Sequence, residues 1–486
     1  MTKRFISIVL CLCMILSIAM PVGASVQSEY YTDVFTDDDY YSAVKYLYEH
    51  EIIKGTTDTT FSPNDNITRG QIVVAFWRML NKPSPVGTVT QFSDVPSSSY
   101  FYDAVKWASS SGIGIVMGNG DGTFNPNGNI TQQDMMVFLY RLACYCEYSD
   151  NSTSVQNEYI NILSNSALVN KNNFISYSRA AAGWGYANGL IGDMNIVPTD
   201  NCNRGCMALY LHKFYMTFQK KYALIVTNSV NMPYIISCGE GVANLLIRSG
   251  ITNYVIESDI DKAQFTTSMQ SVFNNSKPLD ICYLYVASHG DEGYGLRLFD
   301  NGIREDIYLT PSYLRSQIDL YKGTFVVFVS GCYTGTYITN GTTNMELNDN
   351  LEIEDNFEIE DNFEIEDNYF DAELFVNQLI YGDGTSSTQN TNLSNSIRIK
   401  VLCSSRADEV SMPADIFATN FWCRGCGYDL SRNRFIGMAA DFNNDKRISL
   451  DELFTYSYDE IANMSYYQHV VCYPENDNYI IYEYNY

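Results

Sequence analysis

His289 and Cys332 carry the strongest chemical signal in this sequence. Each closes an apolar run, in Tyr285-Val-Ala-Ser-His289-Gly290 and in Val327-Phe-Val-Ser-Gly331-Cys332-Tyr333-Thr-Gly335. A cysteine attacks as its thiolate, and an imidazole beside it removes the proton or stabilises the anion. Small residues next to both groups leave room for a peptide. The backbone N–H groups of Gly290 and Cys332 are candidates for holding an oxyanion. Of the four histidines, at positions 50, 212, 289 and 469, only His289 has this setting.

The elements that must position such a pair are strands. Tyr222–Thr227, Ile281–Ala287, Phe325–Val329 and Ile397–Leu402 are short apolar runs of the buried-strand kind. Helical stretches between them, Gly239–Ser249, Lys262–Phe273 and Pro311–Leu320, predict an α/β domain over 220–486 with a mostly parallel sheet. In such sheets ligands bind beyond the carboxyl ends of the strands, where His289 and Cys332 fall.

The chain before residue 220 has another texture. Ala43-Val-Lys45 recurs as Ala104-Val-Lys106, Phe61-Ser-Pro63 as Phe124-Asn-Pro126, and Ile67-Thr68 as Ile130-Thr131. The unit is about 60 residues long, a period that marks stacked repeats. In the first unit Ala43, Val44, Tyr46 and Leu47 share a helix face, and Thr68 is placed to cap a second helix. A degenerate third copy contains Trp184-Gly-Tyr-Ala-Asn-Gly-Leu-Ile-Gly192 and Asn203-Arg204-Gly205.

These motifs resemble the S-layer homology (SLH) family, with repeats at 30–86, 90–150 and, degenerate, 155–218. The resemblance implies an all-α trefoil of three helical repeats that holds the chain to anionic secondary cell-wall polysaccharide. It assigns the contact with a carboxylated sugar to Arg69 and Arg204, and guanidinium does bind carboxylate in bidentate fashion. The second copy has Gln132 there, which supplies no charge.

The strand-end motifs are similar to those of the caspase, legumain and clostripain clan. That resemblance implies a caspase-like domain over 220–486 acting as a cysteine endopeptidase, with His289 and Cys332 as dyad and no cofactor needed for the chemistry. It places Ser404, Ser405 and Asp408 in the substrate pocket, with peptides or proteins as substrates. The alternative is a catalytically inactive binding or structural module displayed by the same repeats. A redox role for Cys423-Arg-Gly-Cys426 is weaker, because no strand-then-helix context surrounds that pair.

Two further segments stand out. Residues 348–371 contain a tandem Glu-Ile-Glu-Asp-Asn repeat whose charge density favours a loop. Residues 441–452 read as an EF-hand-like calcium loop, with Asp441, Asn443, Asp445, Arg447 and Glu452 as the ligand set. Lys446 stands where that loop normally has the glycine of a left-handed turn.

Composition bounds the setting. Residues 1–25 follow the charged, apolar, small-residue order of a secretory signal, too short for a membrane span. With 56 acidic against 30 basic residues and a net charge of −26, the surface repels phosphate, which argues against a nucleic-acid partner. Of the thirteen cysteines, Cys11 and Cys13 lie in the leader, which leaves an odd number and at least one unpaired thiol. The sequence therefore predicts a secreted protein on a bacterial cell wall, without a transmembrane anchor.

Overall fold

The structure is a computed structural model that describes residues 25–334 and 398–483, apart from 193–195, 231, 292–293, 300–306, 407–408, 410, 412–421, 464–467 and 475. The secretory signal and the acidic repeat at 348–371 lie outside the described residues.

Among the described residues up to 218 there are seven α-helices: α1 (Tyr41–Glu49), α2 (Arg69–Met79), α3 (Tyr102–Ala108), α4 (Gln132–Tyr145), α5 (Thr153–Asn165), α6 (Arg179–Ala187) and α7 (Arg204–Phe218). Ala43, Val44, Tyr46 and Leu47 of α1 are all buried. Thr68 caps α2 in a reciprocal box with Gln71, and Thr131 caps α4 in the same way with Asp134. Asn203 caps α7 by accepting from the Cys206 N–H.

The starts of α2, α4 and α7 meet in a closed ring. The N–H of Ile67 bonds the Cys202 carbonyl (2.9 Å), that of Cys202 the Ile130 carbonyl (2.9 Å), and that of Ile130 the Ile67 carbonyl (3.1 Å). Each helix also donates its first N–H groups to the loop of a neighbouring copy. Gly70 bonds the Pro126 carbonyl, Gln133 that of Pro198 and Gly205 that of Pro63. One apolar core runs beneath all three, from Tyr31 to Phe218.

The remaining residues build a six-stranded mixed sheet. Its strands are β1 (Lys221–Thr227), β2 (Asn253–Ser258), β3 (Ile281–Ala287), β4 (Thr324–Ser330), β5 (Ile399–Cys403) and β6 (Val471–Tyr473). The spatial order is β6-β5-β4-β3-β1-β2, and only β6 runs antiparallel to its neighbour. Its two faces bury separate apolar clusters. Helices α8 (Ile235–Arg248), α9 (Lys262–Phe273), α10 (Pro311–Ile318) and α11 (Leu450–Asn463) accompany it, and the described residues also include three small sheets of two or three short strands.

A buried polar seam joins the helical and sheet parts. Glu49, with a side chain 2% exposed, pairs with Arg447, and Glu483 receives Lys221 Nζ at 2.9 Å and Arg447 Nε at 3.6 Å. His50 lies between them, its Nδ1 2.8 Å from the Tyr46 carbonyl and its Nε2 3.7 Å from Glu483. Further out, Tyr148 donates to Asp280 (3.1 Å) and Asn81 to Thr324 (2.6 Å). All eleven cysteines of the described residues are thiols, Cys423 and Cys426 included.

Candidate functional site

Two places bring together the residues singled out by the sequence. The first is the ring of helix starts. Arg69 and Arg204 each open a helix, and each reaches across to an adjacent copy. Arg204 donates from Nε to the Phe61 carbonyl (2.7 Å) and from Nη2 to the Lys54 carbonyl (2.7 Å). Arg69 repeats this with Phe124 (2.9 Å) and Met117 (3.0 Å). Each guanidinium sits on a phenyl ring, Phe61 at 4.5 Å and Phe124 at 4.7 Å from the centroid.

The loops that receive them are built alike. Asp33 takes the N–H groups of Phe61 and Ser62, and Asp94 takes those of Phe124 and Asn125. Gly55 and Gly118 leave space for an aromatic neighbour, since a Cβ there would come within 2.6 Å of Tyr31 and 2.5 Å of Phe92. Gln132 meets the third copy, where Ile196 stands in place of a phenylalanine. Burial pushes the pKa of both arginines down, opposed by Asp134 at Arg69 and by Tyr31 and Asp65 at Arg204. Two of a guanidinium's five N–H groups are used internally, so three remain for a ligand.

The second place is the end of β3 and β4. Parallel pairing sets Ala287 beside Ser330, and the following residues touch backbone to backbone. A Cβ on Gly290 would lie 1.9 Å from the Cys332 carbonyl oxygen, and one on Gly331 would lie 2.3 Å from that of Ser288. The small residues read as room for a peptide are therefore packing requirements. His289, Gly290 and Cys332 are partly exposed at this junction.

Ser404 and Ser405 do not line an open pocket. Both are fully buried, and their hydroxyls hold the turn of Cys332: Ser404 accepts from the Gly331 N–H (3.0 Å), and Ser405 accepts from that of Thr334 (3.1 Å). Asp408 lies outside the described residues. A pair that the sequence did not reveal closes the junction: His469 Nδ1 is 2.5 Å from Glu409 Oε1, while the Glu409 carbonyl accepts from Tyr333. The partners are far apart in the chain, so no local pattern marks them.

The loop at 441–452 folds on itself. Asp441 accepts from the N–H groups of Asp445 and Lys446, Asn443 from that of Asp445, Asp445 from that of Arg447 and Glu452 from that of Ser449. Lys446 takes the left-handed conformation, φ 68°. The Arg447 side chain turns away to Glu49. Among the described residues no group of three or more His, Cys, Asp or Glu is arranged to hold a metal. The side-chain oxygens of Asp441, Asn443, Asp445 and Glu452 are thus engaged by the loop's own N–H groups, and no step is assigned to calcium.

Comparison with known proteins bears on the first place. Residues 30–73 and 91–136 match the S-layer homology domain. The chain is 32% identical over 168 residues to an endoglucanase of Bacillus sp. (strain KSM-635), covering 32% of this chain and 17% of that protein. It is 29% identical over 143 residues to a cell surface protein of Thermoanaerobacter kivui, covering 29% and 18%. It is 31% identical over 98 residues to an amylopullulanase of Thermoanaerobacterium thermosulfurigenes, covering 20% and 5%. The chain thus spans less than a fifth of the length of these relatives, and the match runs through the repeats.

These findings correct the expectation of a cysteine-type endopeptidase. The relatives named as enzymes are glycosidases, and none of the three carries a peptidase name. The SLH domain does establish anchoring at the bacterial cell wall and surface. Among the described residues, no helix is long and apolar enough to cross a membrane.

Proposed function

We propose that this chain is a wall-bound surface protein whose helical repeats grip anionic secondary cell-wall polysaccharide through Arg69 and Arg204, and which displays its α/β part as a binding or structural module. The observation that carries the reading is the duplicated setting of the two arginines. Each is desolvated, stacked on a phenylalanine and tied to two carbonyls of the adjacent copy, with no ion-pair partner among the described residues. A guanidinium held this way binds a carboxylated sugar without first releasing a protein carboxylate. Gln132 leaves the third interface uncharged. We read the displayed part as caspase-like in fold, a reading supported by its mostly parallel strand order and by the meeting of β3 and β4 ends.

The test is sedimentation of the full mature chain with purified sacculi. Wild type is expected to pellet, and Arg69→Ala/Arg204→Ala, shown by circular dichroism to be folded at the assay temperature, to remain largely in the supernatant. Undiminished pelleting of a folded double variant overturns the reading.

A further inference from the structure

Strand β2 closes one side of the sheet, and among the described residues no strand pairs with its outer edge. The N–H of Asp259 bonds the Thr227 carbonyl at the end of β1 (2.9 Å). Alternation along the extended chain therefore turns the N–H and C=O of Asn253, Val255 and Glu257 towards β1, and those of Tyr254, Ile256 and Ser258 outward. An open row of backbone groups invites another strand, and proteins guard such edges with lysine, proline, a bulge or a short strand. The opposite edge of the sheet is guarded in this way, since β6 has three residues and runs into Pro474. β2 has six, Asn253-Tyr-Val-Ile-Glu-Ser258, with neither lysine nor proline, and its register with β1 is unbroken.

The edge is apolar as well as open. Tyr254 and Ile256 pair with Ala223 and Ile225, so they lie on the face that α8 covers, yet they are 41% and 39% exposed. Ile247, also 41% exposed, stands on the same side, in the last turn of α8. Val255 lies on the other face, against the cluster that contains Phe265 and Met269 of α9. A lone exposed apolar residue needs no account, but three on one rim mark a contact surface.

Turned about a two-fold axis, the strand matches itself. An antiparallel partner must set outward-facing residues opposite outward-facing ones. The register centred on Val255 does so: Tyr254 stands opposite Ile256 of the second copy, Ile256 opposite its Tyr254, and Val255 opposite its Val255. Asn253 then faces Glu257 of the second copy, so no like charges meet. Sliding the strands by two residues either way sets Val255 against Glu257 or Asn253 and loses the match. An aromatic side chain opposite a β-branched one is a favourable cross-strand pair, and a closed two-fold contact requires one patch that complements itself.

We propose that this edge joins two copies of the chain, β2 against β2, so that their two six-stranded sheets become one, with α8 of each copy packing beside the junction through Ile247. A strand pair alone falls short of the roughly 1,200 Å² that stable interfaces bury, so the flanking helices complete the contact and the affinity expected is in the micromolar range. Only residues 219 and 220 separate α7 from β1, which sets the helical repeats of the two copies at opposite ends of the dimer.

Sedimentation velocity of the full mature chain over a concentration series tests this, with circular dichroism to show that each variant is folded. Wild type is expected to pass from monomer to dimer as its concentration rises through the micromolar range. Ile256→Lys places a charge in the junction, and Ile256→Pro removes an outward N–H that β1 does not use; each should weaken dimerisation by about tenfold or more. Tyr458→Ser removes an aromatic that is 46% exposed on α11, and should change nothing. Val255→Cys should give a disulfide-linked dimer under mild copper oxidation, which wild type and Glu257→Cys do not give; this readout holds even where a variant at Ile256 fails to fold. A chain that stays monomeric throughout overturns the proposal and leaves the edge to a strand of another protein. A dimer indifferent to both Ile256 variants, or cross-linked by Glu257→Cys rather than Val255→Cys, overturns it as well.

Discussion

His50 should make the protein lose stability as pH falls from neutral to about 5. The ring is buried in the seam, stacked on Tyr46 at 3.9 Å. Burial pushes its pKa down to about 4, with the Glu483 carboxylate opposing and Arg447 and Lys221 assisting. The unfolded ring titrates near 6.5, so between these values the unfolded state binds the extra proton and stability drops as pH decreases. Linkage gives a loss of about 2 kcal/mol between pH 7.5 and 5, rising towards about 3 kcal/mol near pH 4. Glu483, held down at about 2, stays ionised across that window; its own contribution is lost only below the ordinary carboxylate pKa of 4.5. His212 is shifted in the same direction as His50 by burial, and Glu49, pushed up by burial, works the opposite way. Comparison with a His50→Gln variant isolates the ring from both. Urea unfolding followed by tryptophan fluorescence at pH 7.5, 6 and 5 should show wild type losing about 2 kcal/mol more than the variant over the range. Parallel stability–pH curves for the two proteins would refute the assignment of a neutral buried imidazole to the seam.

Two structural predictions concern the sheet part. Gly290→Ala puts a methyl group 1.9 Å from the Cys332 carbonyl oxygen, which forces β3 and β4 apart at their ends; a loss above about 3 kcal/mol is expected by urea unfolding, and a cost under about 1 kcal/mol would contradict the close backbone approach. Arg447→Ala leaves the Glu49 carboxylate buried without its arginine; a loss of about 3 kcal/mol is expected at pH 7.5, shrinking as pH falls and Glu49 takes up a proton, and a pH-independent loss would count against the ion pair.

The sequence made the repeated features legible and left the unrepeated ones obscure. Ile67-Thr68 and Ile130-Thr131 pointed to two helix starts because a capping residue acts locally, within one turn. The ring that joins them depends on contacts between distant segments, as does the reach of Arg69 and Arg204 into an adjacent copy. In the sheet part, β3 covers the predicted run Ile281–Ala287, an unbroken buried stretch. The edge strands β2 and β6 escaped notice, since β2 is largely open to solvent and its apolar run is short, Tyr254 to Ile256. Helix α8 begins at Ile235 rather than at the predicted Gly239. Gly239 and Gly241 look like boundary residues but sit inside the helix, where a Cβ would strike Thr227 at 2.9 Å and Leu430 at 1.9 Å. Ser404 and Ser405 misled for a related reason: sequence shows that a hydroxyl is present, and only the fold decides whether it faces water or the backbone.

The three-bond ring through Ile67, Cys202 and Ile130 also sets how the repeats can change in number. Open solenoids grow or shrink by one unit because every unit offers the same two faces, and a deletion merely shortens the stack. Here each helix start is both donor and acceptor in a cycle with no free end. Removing one copy would strand a backbone N–H on one neighbour and a carbonyl on another, both at the centre of the module. A fourth copy has no gap to enter. Copy number is thus fixed by closure, and a copy without the charge, as the second is at Gln132, still serves as a wedge that keeps the other two in register.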